Sequence, residues 1–289
     1  MCRTLTALLL FGAIAIAEGQ IQVDLKFRRL QYIAYEPVLA TVTITNLAGR
    51  GIELRDNGDQ AWYGFEITGD GDRLLAPIKR PHEPPLQIAA GTSVTRKIDL
   101  TSLFPVQDLG VYHVRTNVFF ADLNKFFYAQ TKVFEVTSAR PIWQRTVGEP
   151  TGYGTRTYSL MTNRFPDHTS LYVRVEDREN SLVYATFSLG RVISFDQPHA
   201  EIDRENHLHV LHCTAPRVWA YSVIGLDGKL LKREAYSEAR TMPRLRRTPD
   251  GVVEVGGGML GNPARAVPLR TEKPLSKISD RPARSTPED

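Results

Sequence analysis

The stretch "HLHVLHC", His207 to Cys213, gathers three imidazoles and a thiol within seven residues. Imidazole nitrogens and thiolate sulfurs are the usual donors to zinc, and a thiol beside an imidazole is one way to build a nucleophile. The element that carries them decides between these chemistries. On a strand, side chains alternate between faces. His207, His209 and Cys213 then share one face and His212 points the other way, so a tetrahedral site closed by all four requires a bend in the strand. His207 and His209, with a carboxylate from outside the stretch, stay open as a metal pair. Cys213 has no motif partner that would lower its pKa, and reads as an inert buried thiol.

The surroundings of this stretch argue for a strand. "VEDRENSLVYATF" and "EIDRENHLHVLHC" share Asp-Arg-Glu-Asn, and "IGLDGKLLKREAY" and "RTPDGVVEVGGG" place Asp-Gly where the first two have Glu-Asn. The turn residues are Asn180, Asn206, Gly228 and Gly251, separated by 26, 22 and 23 residues. Each tolerates positive φ and is flanked by alternating apolar positions, so the pattern predicts four hairpins. "QPHAEIDRENHLHVLH" overlies "MPRLRRTPDGVVEVGG" at a shift of 45 residues (251 − 206). His207 then falls on Val252, His209 on Glu254 and His212 on Gly257. The second copy does not echo the imidazoles, and the expectation is ordinary strand residues. A unit of two hairpins resembles a β-propeller blade, and the chain holds two such units.

The stretch from Gln20 to about Arg140 alternates with period two. "IQVDLKF" puts Ile21, Val23, Leu25 and Phe27 on one face; "PVLATVTITN" does the same with Val38, Ala40, Val42 and Ile44. Turn signals separate the segments and no helical stripe intervenes, which predicts an antiparallel sandwich. "YEPVLATVTITN" and "AAGTSVTRKIDLTSLFPVQDLGVYHVRTNV" resemble bacterial immunoglobulin-like domains, in which an "LGxYxV" stretch opens a strand; Leu109, Gly110, Tyr112 and Val114 match it. The resemblance implies that Tyr112 forms a tyrosine corner, its hydroxyl bonded to an upstream backbone carbonyl. The family's cysteine pair is missing, so a fibronectin-like or related sandwich is expected rather than an antibody-type one.

Other residues bear on binding. Asp56, Asp59, Asp70 and Asp72 sit in "RDNGDQ" and "TGDGDR". Clustered carboxylates suit calcium, but Asp-Gly and Asn-Gly are also common turn residues, and turns are expected. "FFADLNKFFY" puts adjacent phenylalanines on opposite faces, so an aromatic patch lies outside the sandwich core. It is expected either to pack on the second domain or to meet a protein or glycan partner. Trp62, Tyr63, Phe126, Tyr128, Trp219 and Tyr221 are the candidate contact residues.

Residues 1–17 read as a secretory signal peptide: Arg3 precedes an apolar run from Leu5 to Ile16 that is shorter than the roughly 20 residues needed to span a bilayer, and Ala15-Ile16-Ala17 suits signal peptidase. Removing it leaves Cys213 as the one cysteine, so no internal disulfide is expected. The net charge of +4 and the lack of a basic stripe argue against nucleic acid. No later segment is apolar enough to insert in a membrane. Gly-x-Ser-x-Gly and His-Glu-x-x-His are absent, and the glycines of "VEVGGGMLGNP" precede prolines rather than a helix, against a phosphate loop.

The sequence therefore predicts an all-β chain. Residues 18–140 form an immunoglobulin-like antiparallel sandwich, 141–168 a linker or crossing segment, 169–261 a repeated β-meander of two propeller-blade-like units, and 262–289 a disordered tail rich in proline and arginine. The expected role is an exported, non-catalytic binding or adaptor protein of the periplasm or extracellular space, with no cofactor and with a protein or glycan partner. Rival readings are a carbohydrate-active hydrolase whose carboxylates the sequence does not single out, and a metal-binding protein centred on His207 and His209.

Overall fold

The computed structural model describes residues 20–79, 83–149, 152, 154–193 and 196–261. The expected signal peptide and the expected tail lie outside the described residues. The chain is almost entirely β, in several antiparallel sheets.

The first region contains ten strands: β1 (Ile21–Phe27), β2 (Gln31–Ile33), β3 (Leu39–Asn46), β4 (Ile52–Leu54), β5 (Tyr63–Thr68), β6 (Leu86–Ile88), β7 (Ser93–Asp99), β8 (Gly110–Phe120), β9 (Lys125–Tyr128) and β10 (Lys132–Thr137). One sheet runs β1-β3-β7; the other runs β2-β10-β8-β5, with β9 added to β8. All these pairs are antiparallel except that β2 runs parallel to β10. Alternation builds the core between them. Ile21, Val23, Leu25 and Phe27 face Ala40, Val42 and Ile44 from the first sheet and Tyr112, Val114, Val118, Phe120 and Phe134 from the second. Fully burying an apolar side chain of this size contributes about 1.5–3 kcal/mol. Asn46 is buried at the end of β3 with its amide satisfied: Nδ2 donates to the Arg50 and Ile88 carbonyls at 2.7 and 2.9 Å, and Oδ1 accepts from the Ala48 N–H. The Tyr112 hydroxyl donates to the Asp108 carbonyl at 2.9 Å, the corner expected from its position.

The second region begins where a linker or crossing segment was expected. Residues 141–168 supply most of β11 (Arg140–Gly148) and all of β12 (Thr155–Arg164), which continue into β13 (Thr169–Asp177) and β14 (Leu182–Val192) as one four-stranded meander. In the sequence Pro141 and the glycines at 148, 152 and 154 mask the alternation of these strands. Pro141 sits at a register irregularity of edge strand β11, where a missing N–H costs little. A second meander holds β15 (His199–Ile202), β16 (Leu208–Ala215), β17 (Val218–Ile224) and β18 (Leu230–Ser237). Strands β19 (Arg244–Arg247) and β20 (Val253–Gly256) form a separate ribbon, and β21 (Met259–Gly261) pairs with β18. Tyr158, Leu160, Leu171, Val173 and Val175 of the first meander pack on Leu208, Val210 and Ile224 of the second. Leu245 and Val255 of the ribbon cover its other face, over Leu211, Cys213, Trp219 and Tyr221.

All four expected hairpins form, with positive φ at Asn206 (64°), Gly228 (77°) and Gly251 (83°). In the first, positive φ falls on Ser181 (54°) rather than Asn180. Gly228 also touches the opposite meander: a Cβ there would lie 2.5 Å from that of Ala185, which excludes a side chain.

The regions meet through Ile33, Met161 and Tyr172, which form a small buried cluster. Arg29 donates to the Tyr172 hydroxyl at 2.8 Å and pairs with buried Glu36. Arg174 donates to the Ala34 carbonyl. Among the described residues no helix is long and apolar enough to cross a membrane.

Candidate functional site

Two surfaces bring chemistry-bearing side chains together. The first is the outer face of β5, β8 and β9. Phe119 pairs across strands with Phe126, ring centroids 5.0 Å apart, and Phe126 stacks on Tyr128 at 5.9 Å. The Arg115 guanidinium lies 4.3 Å above the Tyr128 ring and holds Glu66 at 2.5 Å. Tyr128 is 46% exposed, whereas Phe119 is buried. Phe127 and Phe120 enter the core, as the alternation of "FFADLNKFFY" requires. Strand β9 packs on β8 and β1, while Ile33, Met161 and Tyr172 make the junction with the second region. Strand β9 thus makes its main contacts within the first region.

The other candidate contact residues go elsewhere. Trp62 and Tyr63 are buried in the first core, the Trp62 indole donating to the Glu83 carbonyl at 3.0 Å. Trp219 and Tyr221 are buried beneath the β19–β20 ribbon, with the Trp219 indole on the Asp196 carboxylate at 3.0 Å. As contact residues these four are corrected: large aromatic area was captured by the nearest core. Arg115 and Glu66 were missed, since only β5–β8 pairing places them beside Tyr128.

The second surface is the β15–β16 hairpin. Asp203 opens its turn. One carboxylate oxygen accepts the Glu205 and His207 backbone N–H groups at 2.9 and 2.8 Å. The other lies 3.3 Å from His207 Nδ1 and 3.0 Å from His209 Nε2. Glu205 Oε2 is 3.6 Å from His207 Nδ1, and its Oε1 is 4.0 Å from Arg204 Nε. His209 Nδ1 meets the Tyr221 hydroxyl at 2.7 Å. Burial by itself would raise the Asp203 pKa; the hydrogen bonds from His209 and the His207 backbone, with the nearby imidazoles, hold it below the usual range. Burial, then Glu234 and Tyr236, push the Tyr221 hydroxyl up to about 12. The carboxylate that the two histidines lacked in sequence thus comes from their own turn, where Asp-Arg-Glu-Asn reads as turn chemistry alone.

Asp203, Glu205 and His207 offer one donor atom each, all within 4.8 Å of one another, the one such group among the described residues. Asp56, Asp59, Asp70 and Asp72 serve as turn residues: Asp56 accepts the Trp62 N–H and Asp70 the Val111 N–H. His212 leaves the cluster. It faces the opposite sheet, fully buried, and burial beside Arg233 lowers its pKa to about 3, against the Leu189 backbone, which acts to raise it. Cys213 is buried; burial and Asp196 push its thiol pKa up, against a nucleophilic role.

No protein family matches this chain, and no curated protein matches it. Among solved structures the chain is similar to the sporulation control protein Spo0M of Bacillus subtilis, at 11% identity and a TM-score of 0.29, covering 60% of this chain and 91% of that one. It is a distant structural neighbour of this all-β chain.

Proposed function

We propose that the protein is an exported, non-catalytic binding or adaptor protein that recognises a protein partner through the outer face of β5, β8 and β9. The observation that carries this reading is the row Arg115, Tyr128, Phe126, Phe119. Arg115 lies over the Tyr128 ring, Phe126 stacks beside Tyr128 and is tilted against buried Phe119, so what the row offers outward includes the Tyr128 ring and hydroxyl and the Arg115 charge. Tyr and Arg held in place lose little side-chain entropy on contact, and they are among the residues that dominate protein interfaces. We further infer that the first region is of the immunoglobulin-like or fibronectin-like kind, supported by the Tyr112 corner; the hairpins of each expected blade-like unit fall in different sheets, β13–β14 with β11–β12 and β19–β20 as a ribbon of its own.

The test is capture of partners from the producing cell's envelope fraction by the untagged mature chain, run beside Tyr128→Ala and a glycan array. A partner held by the wild type and bound at least tenfold more weakly by Tyr128→Ala supports the reading. A partner held equally by both, or a glycan signal without a protein partner, overturns it.

A further inference from the structure

We propose that the β15–β16 hairpin is a binding site for a divalent transition-metal ion of the zinc class, with Asp203, Glu205, His207 and His209 as its ligands. It lies in the other region from the aromatic row and stands or falls separately from the protein-recognition reading.

The donor spacing carries the inference. Zinc bonds of about 2.0–2.1 Å in a tetrahedron put neighbouring donors about 3.3 Å apart. Here Asp203 Oδ2 lies 3.0 Å from His209 Nε2 and 3.3 Å from His207 Nδ1, and His207 Nδ1 lies 3.6 Å from Glu205 Oε2. The Asp203, Glu205 and His207 donors already lie within 4.8 Å of one another; His209, hydrogen-bonded to Asp203 but outside that group, has to move toward them to complete the set, and the ion then replaces the two imidazole–carboxylate hydrogen bonds. Two neutral imidazoles and two carboxylates cancel a divalent charge and form an N2O2 set, which selects zinc and its neighbours over calcium or magnesium.

The hairpin is also built for the exchange. An imidazole bound to metal through one nitrogen needs a partner for the other. With Nε2 of His209 on the ion, its Nδ1–H donates to the Tyr221 hydroxyl, already 2.7 Å away. The Glu205 side chain is 62% exposed and that of His207 28%, so the ion has a path in from solvent. The backbone does not need the imidazoles, because the β19–β20 hairpin makes the same turn with Val252 and Glu254 in their places.

The untagged mature chain, stripped with chelator, is titrated with zinc chloride and separately with calcium chloride by calorimetry. Variants are His207→Ala and Glu205→Gln, both partly exposed positions, with His168→Ala as control and circular dichroism to confirm folding. The expected result is one zinc per chain at micromolar or tighter affinity, weakened at least tenfold by His207→Ala and several-fold by Glu205→Gln, and unchanged by His168→Ala. Zinc should also raise the thermal midpoint of the wild type, as ligand binding to the folded state requires. No saturable zinc uptake, or uptake that folded His207→Ala retains in full, overturns the site, as does calcium binding as tight as zinc.

Discussion

The hairpins β15–β16 and β19–β20 are two versions of one object. Ile202 pairs with Leu208 in the first and Arg247 with Val253 in the second, the same register at the 45-residue shift (247 − 202). In both turns the first residue's N–H donates four positions ahead: Asp203 to the His207 carbonyl at 3.1 Å, Thr248 to the Val252 carbonyl at 2.9 Å. Asn206 and Gly251 take the positive-φ position. A side-chain oxygen of the first residue accepts the N–H of His207 or Val252, at 2.8 Å from Asp203 and 3.1 Å from Thr248. The turns touch, the Arg204 N–H donating to the Gly251 carbonyl. What differs is everything beyond the backbone. A turn of this kind asks for a short oxygen acceptor and a residue that accepts positive φ. Asp203 meets that demand with one oxygen and has another to spare, which the imidazoles of His207 and His209 approach. Thr248 has no second acceptor. The same framework thus carries a polar cluster in one copy and a plain ribbon in the other.

Removing the first residue of each turn should separate the copies most. Asp203→Ala strips two backbone N–H groups and two imidazoles of their acceptor, and is expected to cost about 2–4 kcal/mol; Thr248→Ala, which loses neutral hydroxyl bonds to the Val252 backbone at an exposed turn, is expected to cost about 1 kcal/mol. Denaturant melts at pH 7 measure both, and equal losses would mean that the copies are equivalent after all. A second contrast is acid lability. His212 is buried and neutral, whereas its counterpart is Gly257. With a folded pKa near 3, below its unfolded value of about 6.5, the unfolded chain takes up a proton that the folded one refuses. Stability attributable to this group is therefore intact above pH 6.5 and falls by about 1.4 kcal/mol per unit as pH drops toward 3. His212→Leu should flatten that part of the slope between pH 6.5 and 4.5; parallel profiles for variant and wild type would remove His212 as the cause. The smallest contrast lies at the positive-φ residue. Gly251→Val places a branched side chain at φ 83°, with its Cβ 3.1 Å from that of Arg204, and should cost about 1–3 kcal/mol. Asn206→Gly keeps the conformation and gives up the Asn206 bond to the Gly148 carbonyl at 2.9 Å, so about 1 kcal/mol or less is expected. A thermal melt of each variant resolves the difference.

Period-two alternation and the four hairpin turns were legible in the chain, because each depends on residues close in sequence; the Tyr112 corner was implied by the resemblance to immunoglobulin-like domains. Strands β11 and β12 were not. Prolines and glycines broke the local pattern there, and a strand whose partners supply its burial need not alternate cleanly. The candidate site was half legible: His207 and His209 were paired by alternation, but their carboxylate was hidden in the role Asp203 also plays in the turn.

Sequence by itself thus determined that the chain would be built of strands, where it would turn back, and that His212 would part company with the other histidines, since alternation and backbone sterics act over a few residues. Only the tertiary structure decided which aromatic side chains are buried. Trp62, Tyr63, Trp219 and Tyr221 lie within packed layers while Tyr128 stays at the surface, because burial depends on which sheet or ribbon arrives to cover a face, and that partner comes from far along the chain.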